Sequence, residues 1–174
     1  RLGVKILPRK GELLLLGFRA RFRPFVAGLA SCHVLDARVG PLIPALAQLV
    51  RALSMPDRLA QLEVAASDEA VGLVFRHLRA LTPADQEALI AFGNAHDVLI
   101  FEQPGNESTV APLGHEHSRL EYRLPEFDLR FAFAPTDFTQ INAAINRQMV
   151  PQAIEQPALE PDSRVLDLFC GLGN

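Results

Sequence analysis

Cysteine is scarce in this chain: Cys32 and Cys170 are the only two among 174 residues. Two thiols do not make a disulfide framework, and a reducing, cytoplasmic setting fits them best. No apolar run approaches the roughly 20 residues that a membrane-spanning helix needs. The densest, residues 13–18, is strand-sized, so no membrane partner is expected. The first residues lack the basic, apolar and small-residue succession of an export signal. Internal repeats and low-complexity tracts are missing too. His115-Glu116-His117 sets two imidazoles close together, but no third ligand stands nearby, and the stretch reads as a solvated loop. His77 and His96 fall at the ends of elements and carry no signal. The chain opens on Arg1 and closes on Gly-Leu-Gly-Asn. Both ends read as cut, and an internal fragment is expected.

What is present is ordinary for a soluble globular protein: 49% hydrophobic and 21% charged residues. The length suits one domain, or one domain and part of another. The net charge of -3 is unevenly spread. Arg1, Lys5, Arg9, Lys10, Arg19, Arg21 and Arg23 stand against a single acid, Glu12, in the first 23 residues. Such a block is either a footprint for phosphates or a row of cations guarding a strand edge. Charge alone leaves both open.

The first third reads as short strands. Residues 2–7 and 12–18 flank a Pro8-Arg9-Lys10-Gly11 turn, and residues 24–30 suggest a third strand. Leu42, Leu46, Leu49 and Leu53 then recur at helical spacing over residues 41–53, with Pro41 in the first turn. A second hairpin joins Leu62, Val64 and Ala66 to Val71, Leu73 and Phe75. Thr82-Pro83 opens a helix expected to stop near Gly93-Asn94. Residues 98–101 read as a strand, 103–118 as a loop, and a third hairpin runs from Leu120 to Phe133 around Pro125. The expectation for residues 1–134 is an α+β domain of antiparallel hairpins with helices on one face.

The remaining stretch, 135–174, has a different texture. Asn142 can cap a helix with Ile145, Met149 and Ala153 on one side, which Pro151 should kink or shorten. Val165, Leu166, Leu168 and Phe169 read as a strand buried on both faces, leading into Cys170-Gly171-Leu172-Gly173-Asn174. Helix, buried strand and glycine turn are how a doubly wound α/β domain opens, with its ligand at the strand's carboxyl end. Taken alone, Gly-x-Gly also fits a ligand-free tight turn or a dinucleotide site.

The full string from Val165 to Asn174 closely resembles the first cofactor motif of the RNA uridine-5-methyltransferase family. Pro135-Thr136-Asp137-Phe138-Thr139-Gln140-Ile141-Asn142 resembles the same family's segment leading into its methyltransferase domain. The two blocks stand in the family's order and near its spacing. The Gly-Leu-Gly-Asn ending, and residues 15–18 followed by arginines, look most like members acting on 23S ribosomal RNA. The resemblance implies that residues 135–174 begin a class I, Rossmann-like domain binding S-adenosylmethionine. It implies Gln140, Phe169 and Asn174 as cofactor contacts, with Asp167, Gly171 and Gly173 completing that edge of the pocket. Without it, Gln140 reads as a polar residue before a helix and Phe169 as core.

Ser31-Cys32-His33-Val34-Leu35 resembles the family's block around the fourth cysteine of a [4Fe–4S] cluster, although His33 stands where the family often has proline. The other reading of Cys32 is a buried free thiol. Cys170 reads as packing within the cofactor motif. Arg19, Arg21 and Arg23 become candidate contacts to 23S rRNA. The family's reaction adds a cysteine thiolate to carbon 6 of uracil, methylates carbon 5, and removes its proton with a base. Both groups are implied beyond Asn174, so no catalytic residue is expected here. The alternatives are a non-enzymatic RNA-binding module, or a sister methyltransferase acting on transfer RNA and lacking the cluster.

Overall fold

The computed structural model describes residues 2–7, 13–20, 25–116, 120–157, 160, 162–168 and 170–171. Strand β1, Leu2–Leu7, pairs antiparallel with β2, Leu13–Arg19, so that Gly3 faces Gly17. Their expected turn at 8–11 lies outside the described residues. Strand β3 is only Val26–Gly28, shorter than the sequence suggests. Its pairing is close: a Cβ on Gly17 would stand 1.7 Å from the Ala27 carbonyl oxygen, so only glycine fits there. After Leu29 donates its N–H to Leu16, at 3.0 Å, the chain leaves the sheet toward Cys32.

A 3-10 turn, Gly40–Leu42, leads into helix α1, Ile43–Ala52. Its buried side chains are Ile43, Leu46 and Val50. Leu42 and Leu49, two of the four periodic leucines, only flank that core. Strands β4, Leu59–Ala66, and β5, Val71–His77, form the expected hairpin. Helix α2, Pro83–His96, begins in a capping box between Thr82 and Asp85.

Helix α2 passes through Gly93-Asn94 and stops instead at Asp97, which takes the left-handed conformation at φ 53°. Gly93 serves a different need. A Cβ there would come within 2.8 Å of the Val98 carbonyl oxygen and of the Ile100 side chain. Glycine lets the chain fold straight back into β6, Leu99–Gln103. Strand β6 lies parallel to β5, with α2 as the crossover. The hairpin-only expectation is corrected here to one β-α-β unit within a mixed sheet. The stretch read as loop also holds β7, Ala111–Leu113, antiparallel to β6. Pro112 hid it from a sequence reading, yet proline is tolerated on such an edge strand.

The seven strands are ordered β3-β2-β1-β4-β5-β6-β7. Alternation along each strand gives the sheet two different faces. Leu2, Leu14, Leu16, Leu62, Leu73, Phe75 and Ile100 join α1 and α2 in the main core. On the opposite face a separate hairpin, β8 (Leu120–Leu124) with β9 (Leu129–Phe133), packs Leu120 and Phe133 against Ala65. A 3-10 turn and Asp128, at φ 51°, close that hairpin.

Helix α3, Ala143–Glu155, runs unshortened through Pro151, whose missing N–H costs the Arg147 carbonyl its helical partner. Ile145 and Met149 are exposed, and the buried residue of this helix is Asn146. The tail departs most from expectation. Residues 163–167 are not a strand, and Val165, Leu166 and Leu168 are 67%, 81% and 69% exposed. A parallel strand needs hydrogen-bonding neighbours on its flanks and cover on both faces. Neither is present around this segment among the described residues. The architecture is thus mixed α/β: a multi-stranded sheet with few helices.

Candidate functional site

The segment after β9 is shaped by two of its own polar residues. Asp137 accepts the Ala134 N–H at 2.7 Å and donates its own N–H to the Ala134 carbonyl at 2.9 Å, closing a turn. Asn142 accepts the Ile145 N–H at 3.1 Å and caps α3. Held between these anchors, Thr139, Gln140 and Ile141 lie against the β4 end and residues 34–36. A groove of about 570 Å³ opens there, walled by Phe18, Val34 and Leu35 on one side and by Pro135, Thr139 and Gln140 on the other. Gln140 also borders a smaller pocket of about 100 Å³ with Tyr122, Asn146 and Arg147.

Three ion pairs hold the walls. The Arg38 guanidinium binds Asp36 at 2.8 and 2.9 Å, and Nη2 also donates to the Ser67 carbonyl at 2.8 Å. The Arg38 hydrogen bond holds the Asp36 carboxyl below its ordinary pKa despite partial burial. Asp68 accepts the Arg123 backbone N–H and the Arg147 Nη2, each at 2.9 Å. Arg123 in turn meets Glu69 at 2.7 Å. The β4–β5 turn therefore clasps both β8 and α3. Tyr122 stacks on Phe131 with ring centroids 5.0 Å apart. Its hydroxyl is buried with no hydrogen-bond partner among the described residues, and burial raises its pKa. The sequence does not single out Tyr122, Asp68 or Arg147. The partners of Asp68 lie 55 and 79 positions away.

Of the expected cofactor contacts, Gln140 lines the groove. Asp167 and Gly171 stand in the exposed tail, and Phe169, Gly173 and Asn174 lie outside the described residues. Neither Asp167 nor Gly171 lines the groove of Gln140. One amide on one wall does not make a pocket for S-adenosylmethionine. Cys32 is half-buried against the main core, and Cys170 is exposed. No group of three potential metal ligands occurs among the described residues. A four-thiolate cluster does not fit what this body alone offers. His115 is half-buried rather than solvated, with Nε2 2.9 Å from the Ile100 carbonyl and its ring edge-on to Phe101. His117 is outside the described residues. Arg19 is exposed on β2, its side chain over Gly3, while Arg21 and Arg23 are outside the described residues. No described helix is long and apolar enough to cross a membrane.

No family model matches the chain. Curated relatives match it from end to end. It is 51% identical to the 23S rRNA (uracil(1939)-C(5))-methyltransferase RlmD of Alkalilimnicola ehrlichii, over 100% of the chain and 39% of that protein. RlmD of Aromatoleum aromaticum is 46% identical over 100% of the chain and 40% of its own length. RlmD of Bordetella parapertussis is 48% identical, again over the whole chain and 37% of its own length. Over this stretch the chain is similar in sequence to the RlmD methyltransferases. It spans about two-fifths of the length of these relatives. Within that stretch, the close approaches at Gly17 and Gly93 and the capping box of α2 account for the backbone in physical terms.

Proposed function

We propose that this chain is part of an enzyme that uses S-adenosylmethionine to methylate carbon 5 of a uridine in 23S ribosomal RNA. The observation that carries this reading is the end-to-end match, at 46–51% identity, to proteins named for that reaction. Residues 1–134 would be the central, RNA-facing domain and residues 135–174 the start of a class I methyltransferase domain. The setting is the reducing cytoplasm, where ribosomal RNA is made.

The chain's own contribution is positioning. Gln140 would present its amide to the cofactor from the groove wall. Asp167, Phe169, Gly171, Gly173 and Asn174 would close the pocket's first edge once the tail is paired within its domain. The bound cofactor supplies the methyl group. Arg19, with Arg21 and Arg23, would meet RNA phosphates, and Cys32 would give one thiolate to a [4Fe–4S] cluster completed by cysteines outside this chain. No residue of this chain is assigned as nucleophile or base.

The test uses the full-length protein with labelled S-adenosylmethionine and unmodified 23S rRNA. Label should appear on carbon 5 of one uridine, and the isolated chain should give no turnover. Label on transfer RNA instead would move the protein to the sister activity. RNA binding without any label would leave only the non-enzymatic module.

A further inference from the structure

Among the described residues, the β8–β9 hairpin covers about half of the sheet face opposite α1 and α2. Along the other half the register aligns one polar row. Gly17 pairs with Gly3, Gly3 with Gln61, Gln61 with Arg76, and Arg76 with Gln103. The row crosses five adjacent strands, from β2 to β6. Arg19 leans over its glycine floor, with Cγ 3.2 Å from where a Gly3 Cβ would be. At its far end lies a cavity of about 440 Å³ lined by Glu63, Arg76, Gln103 and the turn Asn106–Ser108.

Among the described residues, two polar atoms in this cavity lack hydrogen-bond partners. Gln103 is 3% exposed, and its Oε1 is buried with no hydrogen bond. Arg76 Nε is buried in the same condition. Glu63, 8% exposed, accepts a hydrogen bond from Gln61 Nε2 beside them. A buried polar group left unsatisfied is costly, so such groups in native folds call for an explanation. The cavity sits at the carboxyl ends of the parallel pair β5–β6, where α/β sheets place ligands.

Resting on the RNA-methyltransferase reading, we propose that this cavity takes one unstacked nucleobase of the RNA. The chemistry selects a base over a phosphate. Arg76 Nε–H needs an acceptor, while Gln103 Oε1 needs a donor. A nucleobase edge offers both side by side. A phosphate diester or a carboxylate has no donor for Gln103. Single-stranded RNA is commonly read through splayed bases of this kind. The glycine floor under Arg19 would then pass the flanking strand across the sheet.

The test uses the full-length protein and a 23S rRNA fragment spanning the uridine in the relatives' names. Gln103→Met keeps the side chain's shape and removes its polar atoms. Its affinity should fall about tenfold, within the range for removing a base contact, with an unchanged salt slope because the phosphates are held as before. Its Tm should stay level or rise, since an orphan polar group is gone. Arg76→Lys, which keeps the charge, should show the same weakening and covers the case where Gln103→Met misfolds. In a series of singly abasic RNAs, one position should erase the difference between wild type and variant. Equal affinity for wild type and both variants overturns the proposal alone. A lower Tm with unchanged affinity would mean that another part of the polypeptide fills the cavity, and also overturns it. A wild-type protein that binds no RNA overturns the methyltransferase reading together with it.

Discussion

Asp85 holds Ser54 by both ends: its Oδ1 accepts the Ser54 backbone N–H and its Oδ2 the Ser54 hydroxyl, each at 2.7 Å. The same carboxylate accepts the N–H and hydroxyl of Thr82, at 3.0 and 2.8 Å, in the capping box of α2. One buried acid thus ties the end of α1 to the start of α2. Burial pushes its pKa up, but the bonds from Ser54 and then Thr82 prevail and hold it at about 2.

This depression sets a pH dependence. A carboxyl with its pKa lowered from 3.8 to about 2 stabilises the fold fully above the unfolded value. That stabilisation, about 2 kcal/mol, is lost as pH falls through the folded value. Asp85→Asn removes it at neutral pH. Urea unfolding of both proteins should give a stability difference that is steady above pH 5 or so and shrinks toward pH 2. A difference independent of pH would mean that the Asp85 pKa is not depressed.

Local chemistry made most of the sheet and helices legible in the sequence. Thr82-Pro83 announces α2 because a cap is a short-range event, and Leu62, Val64 and Ala66 announce β4 because alternation is. What stayed hidden was nonlocal. The parallel pairing of β6 with β5 depends on α2 folding back, which the glycine at 93 permits without declaring it. Gly93 looks like a helix stop because stops and close approaches both demand a missing Cβ. The site was less legible. Gln140, singled out by resemblance, lines the groove, but Tyr122 and Arg147 border the smaller pocket beside it only through contacts made across the fold. The apolar string at 165–169 was read from its own residues, and a buried strand is a property of its neighbours.

Asp68 should govern how firmly α3 is held. It binds Arg147 and the Arg123 backbone together, but Arg147 is 44% exposed, so its ion pair is discounted for solvent. Removing both bonds in Asp68→Ala should cost about 1 kcal/mol. Amide exchange across α3 should accelerate roughly fivefold, with α2 unaffected. Equal acceleration in both helices would indicate global loosening rather than a released clasp.

Gly40 buttresses Cys32 directly. A Cβ at Gly40 would stand 2.3 Å from the Cys32 carbonyl oxygen, a backbone atom that moves only with its loop. On the proposed ligation by Cys32, Gly40→Ala in the full-length protein should lower bound iron and visible absorbance although no thiol has been altered. Gly93→Ala, crowded against the Val98 carbonyl at 2.8 Å, serves as a control with backbone crowding elsewhere and no iron loss. Cys32→Ala should lose the cluster more completely. Unchanged iron in Cys32→Ala would leave Cys32 a core thiol.

The N-terminal cations should bind phosphates. Reversing charge at Arg19, Arg21 and Arg23 should weaken RNA binding and flatten its salt dependence, by close to one unit of slope for each phosphate no longer neutralised. This separates them from Gln103, whose replacement leaves the slope alone. A slope that does not change would make the three arginines guards of the strand edge.

The tail decides whether the cofactor can bind to residues 1–174 alone. Val165, Leu166 and Leu168 are each more than 65% exposed. Burying a large apolar side chain gains about 1.5–3 kcal/mol, so the three together favour a covered state by several kcal/mol. That cover, and the strands that would flank the segment, are not supplied by any described residue. Gln140 then faces a groove whose opposite wall is Phe18, Val34 and Leu35, not the glycine turn. Calorimetric titration of the isolated chain with S-adenosylmethionine should give no measurable heat, while the full-length protein should bind. Replacing Leu166 and Leu168 with serine should leave the isolated chain as stable as before but destabilise the full-length protein and weaken its cofactor binding. Micromolar binding by the isolated chain would mean that the tail docks onto the groove by itself and that residues 135–174 do not depend on a further domain.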